Sequence, residues 1–227
     1  MATRVTWLGH AAFQVETNGT KILIDPFLSG QPSPPCKPDE VEANFILVSH
    51  GHADHVGDTV EIAKRTGATV IANFEIVNWL QQQGVQKVHP QHIGGAYRHP
   101  FGKVKLTIAH HGSGLPDGSY GGNPAGFLLY LPEGNLYFAG DTALTLDMQL
   151  IGEEGVKLAL LPIGDNFTMG PDDALRAVKL LKPARVVPMH YNTWPLIAQD
   201  PHAWADRVRK ETSAEPVVLE LGQSVDL

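Results

Sequence analysis

Three short runs of apolar residues begin the chain, and polar positions alternate with apolar ones most clearly in the first run. This period of two is typical of strands that are buried on one face. The runs are residues 4–8, 12–16 and 21–24. Asn18-Gly19 separates the last two runs and favours a two-residue hairpin turn, because both residue types tolerate positive φ. In residues 44–48 every position after Asn44 is apolar, which predicts a strand buried on both faces.

The rest of the chain alternates between helical and strand patterns. Apolar residues recur at helical spacing in residues 56–66, 74–83, 171–181 and 201–210. Strands are predicted at residues 68–72, 104–109, 125–131, 135–138, 156–161, 185–188 and 216–220. This order predicts an α/β fold with two sheets packed face to face and helices outside. We find no linker or repeat, so we expect a single domain over residues 1–227.

Composition narrows the class of protein. With 43% hydrophobic and 18% charged residues, the chain has the composition of an ordinary globular protein. A net charge of −7 argues against a nucleic-acid partner or an anionic membrane surface, since both require dense Lys and Arg. No segment approaches the ~20 apolar residues of a membrane span, and Cys36 has no second cysteine to pair with. We therefore expect a cytoplasmic protein with no membrane partner.

The most informative segment is a histidine-rich loop, residues 49–55, directly after the predicted buried strand. In extended chain His50 and His52 project to one side, and the turn into the next helix can direct Asp54 and His55 to a neighbouring point. Imidazole and carboxylate groups are the usual ligands of Zn²⁺ and related ions. Without a metal, so many crowded imidazoles would repel one another on protonation. The loop therefore predicts ligands for two adjacent metals.

Three further candidate ligands each follow an apolar run. They are His111, Asp141 and His190. Polar residues at strand ends are where sheet-based enzymes place their functional groups, because the strand is rigid and its end is open to solvent. Taken singly, His111 or His190 would more commonly be a hydrogen-bonded core histidine than a metal ligand. The histidine-rich loop makes the metal interpretation the better one for all three.

The pattern His-X-His-X-Asp-His, followed by a later His, an Asp and a final His, resembles the metallo-β-lactamase superfamily. Residues 7–10, 24–27, 121–127, 161–164 and 188–191 are similar to its small prokaryotic metal-dependent hydrolases. The resemblance covers essentially the whole chain. It extends to the ascorbate-6-phosphate lactonase and to the phospholipases that cleave N-acyl phosphatidylethanolamines, so it does not define a substrate.

The resemblance implies a four-layer αβ/βα sandwich with two divalent metal ions, Zn²⁺ or Mn²⁺, at the open edge between the sheets. It implies that one ion is held by His50, His52 and His111, the other by Asp54, His55 and His190, and that Asp141 bridges them. His111 is chosen over His110 because the family's ligand precedes a turn of small residues, here residues 112–114.

The implied activity is hydrolysis by a hydroxide that the two ions activate. Two dications would lower the pKa of a shared water from near 16 towards about 7. The resemblance gives Asp54 the catalytic role of orienting this hydroxide or passing its proton to the leaving group. The two ions leave a net positive charge at the site, which predicts a small anionic substrate with an ester, lactone or phosphodiester bond.

Three residues are weaker candidates for contacts to the substrate or to a metal ligand. His10 follows Gly9 in a turn, and a core or turn histidine is an equal alternative. Asn166 and Thr168 either line the substrate cleft or belong to a plain turn. His92 belongs to a family-like stretch, and its role stays open.

Other functions compete with this one. A non-catalytic metal-binding sensor or scaffold would use the same ligands without turnover. A nuclease of the same fold is disfavoured, because few residues separate Asp141 from His190 and the nuclease branch carries an extra domain there. Relatives that assemble into homo-oligomers make self-association a further expectation.

Overall fold

The computed structural model describes residues 2–227, which form two mixed sheets of seven strands with helices on their outer faces. The strands are β1 Arg4–Trp7, β2 Phe13–Thr17, β3 Thr20–Ile24, β4 Phe45–Leu47, β5 Thr69–Ala72, β6 Val88–Pro90, β7 Ala96–His99, β8 Gly102–Ile108, β9 Ala125–Leu131, β10 Gly134–Phe138, β11 Val156–Pro162, β12 Arg185–Met189, β13 Glu215–Pro216 and β14 Ser224–Asp226. The α-helices are α1 Ala53–Val56, α2 Thr59–Thr66, α3 Phe74–Gln82, α4 Asp147–Gly152, α5 Pro171–Leu181 and α6 Pro201–Glu211, and Pro195–Ile197 forms a 3₁₀ turn. Among these helices, none has the length and apolar content needed to cross a bilayer.

The first sheet has the order β14-β1-β2-β3-β4-β5-β6. Its antiparallel half contains the predicted hairpin, in which Asn18 and Gly19 have φ of 46° and 76° between β2 and β3. Its other half is parallel from β3 to β6. The last strand, β14, returns to this sheet and pairs antiparallel with β1. Both ends of the chain are therefore held in one sheet.

The second sheet has the order β13-β12-β11-β10-β9-β8-β7. Strands β7 to β10 are antiparallel, and β10 to β13 are parallel. The two sheets thus repeat the same arrangement, with an antiparallel half joined to a parallel half. Within the described residues, a loop joins the parallel strands β3 and β4, and helices connect the other consecutive parallel strands.

Successive residues of the central strands face opposite sides of the first sheet, and this shows how the layers pack. In β3, Ile22 and Ile24 belong to the core between the sheets, whereas Leu23 packs in the core under α2 and α3. In β4, Leu47 faces the second sheet and Ile46 faces the helices. Strands buried on both faces read as continuous apolar runs, which is why residues 44–48 show no alternation. The predicted αβ/βα sandwich is confirmed.

The predicted helix at residues 56–66 is in fact two helices. Gly57 has φ of 44°, a conformation that glycine adopts readily, and a Cβ there would lie 2.5 Å from the carbonyl oxygen of Pro26. The neighbouring Asp58 carboxylate accepts hydrogen bonds from the backbone N–H groups of Leu28 and Ser29. This break leaves α1 as a separate single turn that carries Asp54 and His55.

The C-terminal region also departs from the prediction of a strand at residues 216–220. Strand β13 ends at Pro216, and the chain then turns at Gly222 and crosses to the first sheet as β14. The turn is closed by hydrogen bonds in both directions between Glu220 and Gln223. Strands β6 and β7 and helix α4 were not predicted, because they are short and largely polar or exposed.

Asn73 connects the two halves of the fold, and its replacement tests this connection. Its side-chain oxygen caps α3 by accepting from Ile76 N–H at 2.9 Å, and its amide donates to the carbonyls of Gly121 and Asn123. We expect Asn73→Ala to lower the free energy of unfolding by about 2–3 kcal/mol, measured by urea denaturation. Asn73→Asp keeps the cap but sets a carboxylate against two carbonyls. If Asn73→Asp were as stable as wild type, the connection would be unimportant.

Candidate metal centre

The candidate ligands meet at the edge between the sheets, where several strands end. Asp25 follows β3, His50 follows β4, His111 follows β8, Asp141 follows β10 and His190 follows β12. Because parallel strands end at a common edge, residues far apart in sequence are brought to one place.

Two backbone hydrogen bonds join the sheets at this edge. Ala125 N–H donates to the carbonyl oxygen of Ser49 at 3.0 Å, and His190 N–H donates to that of His10 at 3.0 Å. The histidine-rich loop is held from a third side, where Gly51 N–H donates to Ser113 Oγ at 2.9 Å. The loop that carries most of the candidate ligands is therefore fixed to the second sheet.

One group of donors consists of His50, His52 and His111. One ring nitrogen from each lies within 4.8 Å of the other two. His50 is fully buried, whereas His52 and His111 are partly open to solvent. His110, the alternative to His111, is exposed and lies outside the group. The three imidazoles thus form a pocket of nitrogen donors that is open on one side.

The second group consists of Asp54, His55 and His190, together with His10. One donor atom from each lies within 4.8 Å of the others. Asp54 Oδ2 is 3.8 Å from the Nε2 atoms of both His55 and His190. Asp54 is one-quarter exposed, whereas the three imidazoles are buried. This group is also open on the side of Asp54.

Asp141 lies between the two groups. Its Oδ2 atom is 3.0 Å from His190 Nε2, 3.3 Å from His55 Nε2 and 3.5 Å from His111 Nε2. The Nε2 atoms of His55 and His190 and the Oδ1 atom of Asp141 are buried, yet none makes a hydrogen bond within the protein. Buried polar atoms without partners are costly, and nitrogen and carboxylate donors at these distances suit divalent metals. The residues present fit the metals that the resemblance implies.

The pKa values of the candidate ligands show that the site favours a positive charge beside Asp141. Burial disfavours the charged form of Asp141, but His55 and His190 hold its pKa well below the usual range. Burial likewise opposes the protonation of His55, yet Asp141 and Asp25 raise its pKa well above the usual value. For His50, burial lowers the pKa, so this imidazole is neutral and able to donate a lone pair. A metal ion can take the place of the proton on His55.

The backbone at this edge has an uncommon conformation. His10, Asp25 and His190 have φ of 50°, 44° and 55°, in the left-handed region that side chains other than glycine rarely adopt. Gly140 has φ of 64°, and a Cβ there would lie 2.7 Å from the carbonyl oxygen of Ala125. Strain of this kind persists only where the surrounding structure enforces it, and it concentrates at functional sites.

Asp25 contacts a candidate ligand, a role that sequence reasoning missed. His55 Nδ1 donates to Asp25 Oδ2 at 2.7 Å, and Ser49 donates to the same carboxylate from its backbone N–H and its hydroxyl. These bonds hold a proton of His55 on Nδ1, so Nε2, which faces Asp141, is the nitrogen that a metal would bind in place of the second proton. Asp25 follows a buried strand, so the rule that selected the other strand-end residues would have found it.

His10 lies in the site and contacts the candidate catalytic group. Its Nε2 atom is 3.1 Å from Asp54 Oδ2, and its Nδ1 atom is 2.7 Å from Thr193 Oγ1. Burial lowers the pKa of His10 to about 4, so its imidazole is neutral. A neutral His10 that accepts from Thr193 donates its Nε2 proton to Asp54. Of the two alternatives for His10, the structure shows contact with the candidate ligands.

The remaining candidates, Asn166, Thr168 and His92, lie farther from the two groups of donors. Asn166 and Thr168 flank the site in a loop, where Asn166 N–H is bound by Asp165 and the Thr168 hydroxyl donates to the carbonyl of Met169. Neither lines the cavity at the candidate ligands, although Phe167 between them does. His92 accepts from Ile93 N–H in a turn away from the site.

A cavity of about 560 Å³ opens onto both groups of donors. Five candidate ligands line it: His52, Asp54, His111, Asp141 and His190. The other lining residues are apolar and are Phe27, Ala53, Phe167, Trp194 and Leu196. A ligand of moderate size can therefore reach the donors directly from solvent.

Comparison with known proteins agrees with this geometry. Residues 20–191 match the sequence profile of the beta-lactamase superfamily domain. The fold, the match and the relatives below show that the chain belongs to the metallo-β-lactamase superfamily, as the sequence resemblance indicated.

The relatives extend over the full chain. A UPF0173 metal-dependent hydrolase of Bacillus cytotoxicus is 53% identical over 99% of this chain and 100% of its own, and one of Desulforamulus reducens is 52% identical over 97% and 98%. Among solved structures, Igni18, a metallo hydrolase of the archaeon Ignicoccus hospitalis, is 37% identical with a TM-score of 0.91, covering 100% of this chain and 99% of its own.

Replacement of Asp25 tests whether the carboxylate orients His55. In Asp25→Asn, an amide N–H faces His55 Nδ1, so the proton moves to Nε2, the nitrogen that faces Asp141. We expect the affinity for Zn²⁺ to fall about 10- to 100-fold, measured by competition with a chelating dye. Circular dichroism checks that the variant is folded. Unchanged affinity in a folded Asp25→Asn would show that this contact does not prepare the site.

Metal affinity is expected to depend on pH through His55. Its pKa is raised, so the imidazole holds a proton that a metal must displace, and lower pH therefore favours the proton over the metal. We expect the affinity to rise about tenfold per pH unit while one proton is displaced. Calorimetry in two buffers of different ionisation enthalpy measures the protons released. No proton release below neutral pH would contradict this assignment.

Proposed function

We propose that the protein is a hydrolase that uses two divalent metal ions, Zn²⁺ or Mn²⁺. The observation that carries the proposal is the position of Asp141, a buried carboxylate with nitrogen donors from two separate groups on its two sides. His50, His52 and His111 would hold one ion, and Asp54, His55 and His190 the other. Asp141 would be shared between them.

Each group has donors that are open to the cavity. His52 and His111 on one side and Asp54 on the other are partly exposed. Structural zinc sites are closed by four protein ligands, whereas catalytic sites leave a position for water or substrate. The open side therefore favours turnover over a non-catalytic sensor or scaffold. Metals bound here would supply a water of lowered pKa and would polarise the scissile bond.

Asp54 is the residue that we propose orients the attacking water. Burial opposes its ionisation, but the hydrogen bond from His10 holds its pKa well below the usual range. An ionised Asp54 faces the cavity, so it can accept a hydrogen bond from a water and orient it. His10, fixed by Thr193, would keep Asp54 in this orientation.

The proposed substrate is a small ester, lactone or phosphodiester with an anionic group. No lysine or arginine is among the residues that line the cavity. The positive charge that favours an anion would therefore come from the two ions alone. Two negative ligands, Asp54 and Asp141, only partly neutralise two dications, so a negative group beside the scissile bond would be stabilised.

The proposal is tested by metal content and turnover in a matched pair of histidine variants. Protein purified without added metal is expected to hold about two ions per chain by elemental analysis and to hydrolyse members of a lactone and phosphodiester panel. His111→Ala should lose about one ion and reduce kcat at least 100-fold, because a donor of one group is removed. His110→Ala replaces the exposed neighbouring histidine and should retain both ions and the wild-type kcat.

Two results would contradict the proposal. If wild-type protein holds no metal after reloading with Zn²⁺ or Mn²⁺, the ligand assignment is wrong. If it holds two ions but turns over no ester, lactone or phosphodiester, the metal-binding sensor becomes the better hypothesis. Equal hydrolysis of neutral and anionic analogues would reject only the preference for an anion.

A further inference from the structure

The cavity beside the candidate ligands has two chemically different surfaces. Its floor is formed by the imidazoles and carboxylates, and its walls are formed by the apolar residues Phe27, Phe167, Trp194 and Leu196. The walls come from three segments: Phe27 follows β3, Phe167 follows β11, and Trp194 and Leu196 follow β12. Apolar side chains thus converge on the donors from three directions.

One wall is an aromatic cluster in contact with the site. The ring centroids of Phe27 and Trp194 are 6.2 Å apart, and His10 packs edge-on against both, at 5.7 Å and 4.9 Å. His10 also hydrogen-bonds to Asp54, so the aromatic wall and the candidate catalytic group are held in one packed unit. The aromatic wall is therefore fixed in position relative to the candidate catalytic group, Asp54.

The rest of the wall, Phe167 and Leu196, is apolar and open to solvent. Phe167 is 52% exposed and Leu196 is 69% exposed. Exposed apolar side chains that border a concave surface mark binding sites, because covering them removes apolar area from water. An entirely anionic substrate would leave both walls hydrated. The apolar walls therefore favour a substrate that carries an apolar group in addition to a charged group.

We propose, on the basis of the hydrolase activity proposed above, that the substrate carries an aryl or alkyl group of several carbons next to its scissile bond. The polar end faces the candidate ligands, and the apolar group packs against Phe27, Phe167, Trp194 and Leu196. The substrate is therefore amphiphilic, and these four side chains determine its chain length.

Chain-length dependence of turnover tests the proposal in the metal-loaded protein. For a series of γ-lactones from butyrolactone to decalactone, we expect kcat/KM to rise about threefold per added methylene until the cavity is filled. Phe167→Ala and Leu196→Ala should flatten this rise. The matched controls Phe74→Ala and Leu146→Ala remove equally exposed apolar side chains, 56% and 77% exposed, that do not line the cavity, and should leave it unchanged.

A binding measurement separates this proposal from the hydrolase activity itself. The apolar anionic dye 1-anilinonaphthalene-8-sulfonate should bind wild-type protein with increased fluorescence. Binding should weaken at least fivefold in Phe167→Ala and in Leu196→Ala, and should be unchanged in the two control variants. The dye is not hydrolysed, so the result does not depend on turnover.

The outcomes are distinct. Turnover with no chain-length dependence, together with dye binding that the cavity variants do not change, would overturn the apolar subsite and leave the hydrolase intact. Absence of turnover of the γ-lactones and of the ester and phosphodiester panel would reject the hydrolase, and dye binding would then decide the subsite alone. A second copy of the chain is the competing occupant of the walls. If Phe167→Ala or Leu196→Ala converts a dimer to a monomer in light scattering, the walls form an interface and the proposal is wrong.

Discussion

A buried carboxylate that three imidazoles surround is the interaction on which the site depends. Asp141 is 2% exposed, and its oxygen faces ring nitrogens from α1, from the segment after β8 and from the segment after β12. An ionised group so deeply buried is costly unless positive charge lies beside it. Protons on the imidazoles or metal ions between them supply that charge. The fold must therefore hold these segments at fixed separations.

The two sheets meet this requirement through their shared edge. Hydrogen bonds from Ala125 to Ser49 and from His190 to His10 join the sheets where the donors lie. The strained backbone at His10, Asp25 and His190 follows from the same constraint, since each residue turns its side chain into the site immediately after a strand or at a tight turn. Packing of the four layers offsets this local cost, because most of the core lies directly beneath the edge.

The same edge gives the cavity its two surfaces. Residues next to the strand ends carry the polar donors, whereas the loops that extend beyond them present Phe167, Trp194 and Leu196. A polar floor with apolar walls is the usual composition of small-molecule sites, in which a few polar groups orient the ligand and apolar area provides affinity. His10 connects the two surfaces, because it packs against Trp194 and hydrogen-bonds to Asp54.

The sequence by itself determined most of the strands and helices and the choice of the candidate ligands. Hydrophobic periodicity is local, so a run such as residues 125–131 predicts β9 with no knowledge of its neighbours. The rule that polar residues at strand ends carry function identified His111, Asp141 and His190, and it would have reached Asp25. The resemblance to the metallo-β-lactamase superfamily supplied the αβ/βα layers and the division of the ligands into two groups.

Only the tertiary structure decided the rest. The break at Gly57 depends on the approach of Pro26, and the crossing of β14 to the first sheet depends on pairing with β1. The hydrogen bond from His55 to Asp25 and the apolar walls at Phe167 join segments that are distant along the chain. Periodicity reports which face of an element is buried but not which element covers it. Contacts of this kind follow from how the layers pack, and local pattern carries no information about them.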